Sequence, residues 1–320
     1  MNHFCAAAAL IGANMCEGDS AITLIERSFM THMSEYGLSY ATKEEYAFRL
    51  DLFAKKDAFI NEMNADKTNT FELGHNQFST WTEDELKRIK GYKGDETHDE
   101  NAILFDGEPV SNGIDWRAKG GVNTPRNQLC GDCWAFSTVA SLEGAHFAKS
   151  GKLLSLSEQM LVDCDKVNSG CNGGYPDKAF GWVKSNGGIA ARPQYPYVGK
   201  RGTCKKVASA VQVTAVNRVQ KNSVAALKAA VEKSVVSIGI QSTGVLDNYK
   251  GGIINNPKCG TALDHAVNIV GWGSASGQDY FIVRNSWGPK WGESGYARVA
   301  AVNGPGICGI QMDPSFPTTN

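Results

Sequence analysis

The 320-residue sequence predicts an α+β protein, and three observations carry that reading. After about residue 110 the first stretch carries helical signals, and the remainder carries β-branched and aromatic runs bounded by glycines. Apolar residues make up 42% of the chain and charged residues 20%, enough for a sizeable core and too regular for wholesale disorder. Ahead of both, residues 91–112 (GYKGDETHDENAILFDGEPVSN) are polar and turn-rich without a period, which reads as a linker and a cleavage site. No apolar run reaches the roughly 18 residues of a membrane span. The net charge of −1 argues against a dominant nucleic-acid role.

Residues 1–16 read as a secretory signal, with an alanine-rich apolar core from Phe4 to Ala13 ahead of the polar Glu17. A helical pattern follows over 21–64, with apolar residues at Tyr46, Phe48, Leu50, Leu52, Phe53 and Ile60. Residues 71–79 look extended, and Thr82 three residues before Glu85 forms a capping box that opens a short helix to about Lys90. Beyond the linker, a helix begins beside Cys133 and ends at Gly151, and a second capping box, Ser155 with Glu158, starts a helix towards Cys164. Pro176 suits a first helical turn that runs to Gly187-Gly188, and residues 223–233 are a third helix. Strands are expected over 235–240, 265–270, 280–284 and 296–299.

Charge divides the chain at the same linker. Residues 17–109 hold 20 acidic against 10 basic side chains, and residues 110–320 hold 13 against 22. Two pieces that bind each other electrostatically are the reading, with two unrelated solvated surfaces as the alternative. Of nine cysteines, Cys5 and Cys16 fall in the leader, and the remaining seven suggest three disulfides and one free thiol. Six cysteines allow 15 pairings.

The chemistry centres on Asn127-Gln-Leu-Cys-Gly-Asp-Cys-Trp-Ala-Phe-Ser137. A cysteine at a helix N-terminus meets free N–H groups and the positive end of the helix dipole, which favour the nucleophilic thiolate. A base must accompany it. After the linker only His146 and His265 exist, and His146 lies 13 residues down the same helix, roughly 20 Å away. His265 is therefore the candidate base. Asn285 is the candidate to orient the imidazole, and Trp287 to shield that hydrogen bond from water.

In these motifs the region after the linker resembles the papain-like cysteine proteases, and the whole chain resembles their cathepsin L-like prepro-forms. The Cys133 segment, His265 132 residues later, and Asn285-Ser-Trp-Gly-Pro-Lys-Trp-Gly-Glu-Ser-Gly-Tyr296 carry the resemblance. In the pro-region it rests on Glu45, Arg49, Phe53, Ile60 and Asn64, with Lys56 where asparagine is usual. Gly74, Asn76 and Phe78 add a second motif, with Thr80 in place of aspartate.

The resemblance implies a two-domain fold, with a helical left domain and a β-barrel-like right domain, under a helical inhibitory propeptide. Its domains would be a signal at 1–16, a propeptide at 17–109 and a mature peptidase at 110–320. It implies pairing of Cys130 with Cys171, Cys164 with Cys204, and Cys259 with Cys308. Catalysis would fall to Cys133, His265, Asn285 and Gln128. Substrate would lie on Gly173, Gly174, Tyr175, Pro176, Leu263, Asp264, Ala266 and Trp287, with Asp313 at the floor of the main specificity pocket. It also implies a monomeric endopeptidase, without metal or cofactor, acting on peptides and proteins. Its own propeptide would inhibit it until acid promotes removal, and cystatin-like inhibitors would be further partners. The secretory pathway would deliver it to an acidic lysosome- or food-vacuole-like compartment or outside the cell.

Two departures stand out. Asp132 replaces a small residue before the nucleophile, where a carboxylate facing the site would disfavour the thiolate. Gln128 stands five residues before Cys133 where the family has six, so either Gln128 or Asn127 is the oxyanion donor. Two other readings remain: a papain-fold protein that only binds peptides, and a dithiol oxidoreductase using the C-x-x-C spacing of Cys130 and Cys133.

Overall fold

The computed structural model describes residues 22–93 and 101–320, so the expected signal lies outside it. In chain order the elements are α1 (Leu24–Tyr36), α2 (Lys43–Ala65), β1 (Phe71–Leu73), α3 (Glu83–Lys87), β2 (Ile103–Phe105) and β3 (Ile114–Asp115). There follow α4 (Cys133–Ser150), α5 (Glu158–Cys164), α6 (Pro176–Ser185), β4 (Val213–Val219), α7 (Val224–Lys233), β5 (Val236–Ile240) and α8 (Gly244–Asp247). The chain closes with β6 (Tyr249–Ile254), β7 (His265–Ala275), β8 (Gln278–Arg284), β9 (Tyr296–Ala300) and β10 (Ser315–Thr319).

Among the described residues, those up to Leu50 and those from Asp51 form two compact units. In the first, Thr23 caps α1, and Gly37 ends it at φ 63°, a left-handed conformation that glycine adopts without penalty. That stop explains why the single helical pattern expected over 21–64 is two helices. Fully buried Phe29 packs against the rings of Tyr40 and Tyr46.

In the second unit, α4, α5 and α6 gather on one side around Trp134, Leu142, Leu161 and Phe180. Residues Cys133 to Ala145 of α4 are all buried, as befits a central helix rather than an amphipathic surface one. On the other side nine strands follow the order β1-β6-β9-β8-β7-β5-β10-β4-β2, with β3 on the edge of β7. Their core includes Tyr249, Ile269, Phe281 and Trp291. Two disulfides, Cys130–Cys171 and Cys164–Cys204, secure the helical side, and Cys259–Cys308 secures the strand side.

The residues from 51 to 93 are built into this body. Asn64 clasps Leu73 with both ends of its amide, at 2.9 and 2.8 Å, which delivers β1 antiparallel to β6. Ile60, Met63, Phe71, Leu73, Phe78 and Leu86 join the strand-side core. The capping box at Thr82 and Glu85 forms with both of its bonds. The second box differs from expectation: Ser157, two residues after Ser155, caps α5 by accepting from the N–H of Met160. The stretch expected to be a plain linker also differs, since β2 within it lies parallel to β4.

Candidate active site

Cys133 is the first residue of α4, fully buried, and the free cysteine among the described residues. Cys130 is joined to Cys171, so the C-x-x-C spacing is not a dithiol. His265, the first residue of β7, is also fully buried. The N–H of Ala266, next to it, faces the Cys133 sulfur, which brings the helix start and the strand start together.

The imidazole orientation follows from its neighbours. Asn285 Oδ1 accepts from the N–H of Ser286 at 2.8 Å, which settles which end of the amide is the oxygen. His265 Nε2 lies 2.8 Å from the same oxygen and so carries the proton. Nδ1 is left as the basic nitrogen, buried and without a hydrogen-bond partner. Trp287 stacks on the ring at 4.7 Å with 20° between planes and shields this bond.

Gln128 is locked from both sides. Its Oε1 accepts from Ser286 Oγ at 2.5 Å, and its Nε2 donates to the carbonyls of Cys130 and Ile89, each at 2.8 Å. Asn127 instead packs beneath Gly288. The shortened loop therefore leaves Gln128 aimed into the cleft and gripping a carbonyl there. Asp132 turns away: its Oδ2 accepts from the Tyr197 hydroxyl at 2.8 Å, and burial pushes its pKa up to about 7.

Residues 89–92 run through the cleft across Cys133. The N–H of Gly91 points at Sγ, 3.2 Å away, so the thiol meets an amide donor rather than a carbonyl carbon. The Gly91 carbonyl accepts from Gly174, and Tyr92 donates from its N–H to Asp264 O at 3.0 Å. Tyr92 bridges Gly174 in the parallel sense. A Cβ on Gly91 would stand 1.9 Å from Gly131 O, so only glycine passes. Gly173, at φ 110°, is also confined, since a Cβ there would stand 2.5 Å from Gly91 O.

On one side of the sulfur, Tyr92 fills a pocket. Its ring meets Tyr175 edge-on at 5.7 Å, lies against Gly239 and Leu263, and shares a core with Ala266. Its hydroxyl donates to Asp313, whose other oxygen accepts from Arg218 at 3.2 Å. Pro176 opens α6 beside Tyr175. On the other side, Lys90 Nζ reaches Ser242 O at 2.8 Å and Asp247 at 3.1 Å. Gln77 donates to Trp287 O at 2.9 Å, and Phe78 packs edge-on against the Trp287 ring at 5.0 Å.

This covering silences the pair. Burial pushes the Cys133 thiol up to about 12, against the N–H groups of Ala266, Gly91 and Trp134, which favour the thiolate. Burial pulls His265 down to about 3, against its bond to Asn285, with the Lys90 charge adding to the fall. Both groups are neutral under the segment.

Sequence reasoning missed the covering residues. Gly91 and Tyr92 were assigned to the linker, although an aromatic side chain in a polar run was a usable signal. Arg218, Ser242 and Asp247 sit in ordinary strand and turn patterns and gave none. The charge split also works differently from a simple acidic-on-basic grip. Among the described residues Glu72 pairs with Lys250 at 2.7 Å in that sense, but both are exposed, whereas the buried pair, Lys90 with Asp247, has the opposite polarity.

Comparison with known proteins accords with this geometry. Residues 110–318 match the papain family cysteine protease model, and residues 29–86 match the cathepsin propeptide inhibitor domain (I29). Papaya proteinase 4 of Carica papaya is 39% identical over 306 residues, covering 91% of this chain and 86% of that protein. The recombinant stem bromelain precursor superposes with a TM-score of 0.84 at 36% identity, over 92% of this chain and 98% of that one. The digestive procathepsin L2 proteinase from Tenebrio molitor larval midgut gives 0.86 at 32%, over 92% and 100%. The chain belongs to the papain family of cysteine proteases. It is a cysteine peptidase made as a proform, and its propeptide domain is an intramolecular inhibitor.

Proposed function

We propose that the chain is an endopeptidase in which Cys133 attacks the peptide carbonyl, His265 protonates the leaving amine, and water releases the acyl-enzyme. Asn285 holds the imidazole, and Gln128 with the Cys133 N–H holds the oxyanion. The observation that carries this reading is Gln128 Nε2 donating to a peptide carbonyl in the cleft while Gly91 N–H rests on Sγ. Gly173, Gly174 and Asp264 supply the main-chain contacts for substrate, and Tyr175, Pro176, Leu263, Ala266 and Asp313 line the pocket for the side chain two residues before the scissile bond. The pocket favours an aromatic residue: Tyr92 fills it, and Arg218 already pairs with Asp313 and opposes an arginine there.

Release begins at the junction near residues 109 and 110. Glu232 accepts from Val110 N–H, Ser111 N–H and Ser111 Oγ. Burial would raise its pKa, but these bonds hold it below the ordinary carboxylate range. Its grip is present above that range and is lost only as pH falls through the depressed value. The three disulfides favour an oxidising route through the secretory pathway, and the acid step favours a lysosome- or food-vacuole-like compartment or acidic surroundings outside the cell. A monomer open to cystatin-like inhibitors after release belongs to the same reading. Fluorogenic peptide hydrolysis by acid-processed protein tests it. Cys133→Ala is expected to abolish turnover, and Gln128→Ala to lower kcat roughly 10²–10³-fold, more than Asn127→Ala; retained activity in Cys133→Ala would overturn it.

A further inference from the structure

The Lys90 contact lies on the opposite side of Cys133 from the Tyr92 pocket. Lys90 is side-chain buried to 6% exposure, and Asp247 to 3%. A lysine seldom goes under cover unless its charge is met. Here the amine is met by Asp247 Oδ2 and Ser242 O, and Asp247 Oδ1 accepts from Ser242 Oγ at 2.5 Å. The N–H of Ser242 in turn donates to Asp264 at 2.7 Å, so a second carboxylate backs the first. Asp264 directly precedes His265.

When the propeptide leaves, Lys90 leaves with it. So does Asn76, whose amide holds Asp247 O at 2.7 Å, and so does Lys56, whose charge also acts on Asp247. Asp247 keeps Ser242 and loses its cation. The pocket is then a preformed carboxylate site beside the residue assigned to protonate the leaving amine.

We propose that Asp247, with Ser242 and Asp264, forms a cation-reading subsite on the leaving-group side of the cleft, selecting a lysine or arginine side chain just after the scissile bond. The proposal rests on the cysteine-peptidase assignment of Cys133 and on the Tyr92 pocket taking residues before that bond. Lys90 is then a built-in imitation of the side chain the subsite recognises. The ammonium is held by one carboxylate oxygen and one carbonyl, and an arginine would exchange the carbonyl contact for a second N–H on the carboxylate.

The test uses processed enzyme at pH 7 and peptides that differ only in the residue after the scissile bond: lysine, Nε-acetyl-lysine, norleucine or glutamate. Lysine is expected to exceed acetyl-lysine and norleucine in kcat/KM by roughly tenfold or more, the scale of one charge-assisted hydrogen bond in a desolvated site. Glutamate is expected to be the poorest. Asp247→Asn should bring the lysine-to-norleucine ratio close to one. Equal rates for lysine and acetyl-lysine in the unmodified enzyme would overturn the proposal whether or not Asp247→Asn folds. So would a ratio that survives Asp247→Asn. Competition binding of the same peptides to Cys133→Ala protein, freed of its propeptide by an added protease, reads the same ratio as affinity. That arm decides the subsite even if the peptidase assignment of Cys133 fails.

Discussion

The segment 89–92 holds the two sides of Cys133 by different physics. On the Tyr92 side it buries an aromatic ring against Tyr175, Gly239 and Leu263 and spends one hydroxyl on Asp313. On the Lys90 side it buries a charge against Asp247, next to the apolar packing of Phe78 on Trp287. An apolar plug is tolerant of shape, whereas a buried ion pair fails when either partner is removed. Truncation should therefore be felt gradually on the first side and abruptly where Lys90 meets Asp247. Gly91 is the hinge between them, because it is where the backbone crosses the sulfur.

Gly91→Ala should break both sides at once and have the largest effect. Its methyl cannot clear Gly131 O, so the segment must lift. Peptidase activity of the unprocessed precursor at neutral pH is the measurement, with a rise on the order of 100-fold expected, equivalent to a shift of roughly 3 kcal/mol. Next in size is the direct comparison. Lys90→Met strands Asp247 and should cost about 3–5 kcal/mol of precursor stability. Tyr92→Ala should cost a similar amount through the cavity it leaves. Tyr92→Phe should cost only about 1 kcal/mol, since Arg218 still satisfies Asp313. Denaturant midpoints at low and high salt separate the cases: neither buried variant's loss should follow ionic strength, and the exposed Glu72–Lys250 pair should give under about 1 kcal/mol.

A smaller effect is set by pH. Burial raises Asp132 to about 7 and Asp264 to about 6. Groups raised in this way contribute stability fully present below about pH 3.8 and lost as pH rises through 6 to 7. The precursor's melting temperature should fall across that window. Asp132→Asn, which keeps an acceptor for Tyr197, should flatten the fall and restore on the order of 2–4 kcal/mol at pH 7.5 while changing little at pH 4. The smallest effect concerns the pocket that Tyr92 fills. Processed enzyme should favour tyrosine over phenylalanine about 3–10-fold two residues before the scissile bond, by one hydrogen bond to Asp313. It should disfavour arginine there, and Arg218→Ala should relax that bias.

The same contrast explains what the sequence made legible. The order of helices before strands, the helix beginning at Cys133 and the separation of the Cys133, His265 and Asn285 motifs follow from local patterns that tertiary packing does not override. Gly37 shows the limit: a single residue that takes φ 63° divides a continuous helical pattern. The cleft side of the molecule was less legible because its residues act across long sequence separations. Tyr92 meets Asp313 only after the chain has folded back 221 residues, and Lys90 meets Asp247 after 157. A polar run without periodicity reads as a linker until the surface it lies on is known. Asp132 was legible as a departure but not in its consequence, which depends on Tyr197 standing ready to take it.

The central claim is that Cys133 is a competent nucleophile kept neutral by its own chain. The rate of Cys133 alkylation by iodoacetamide, followed by mass spectrometry across pH 4 to 9 in the precursor and in the processed enzyme, tests it most directly. The precursor should react slowly at every pH in that range, as a buried thiol pushed up to about 12 requires. The processed enzyme should react at Cys133 at least 100-fold faster near neutrality, an estimate from the roughly two or more units by which uncovering restores an activated thiol. Equal rates and equal pH profiles in the two forms would contradict the account.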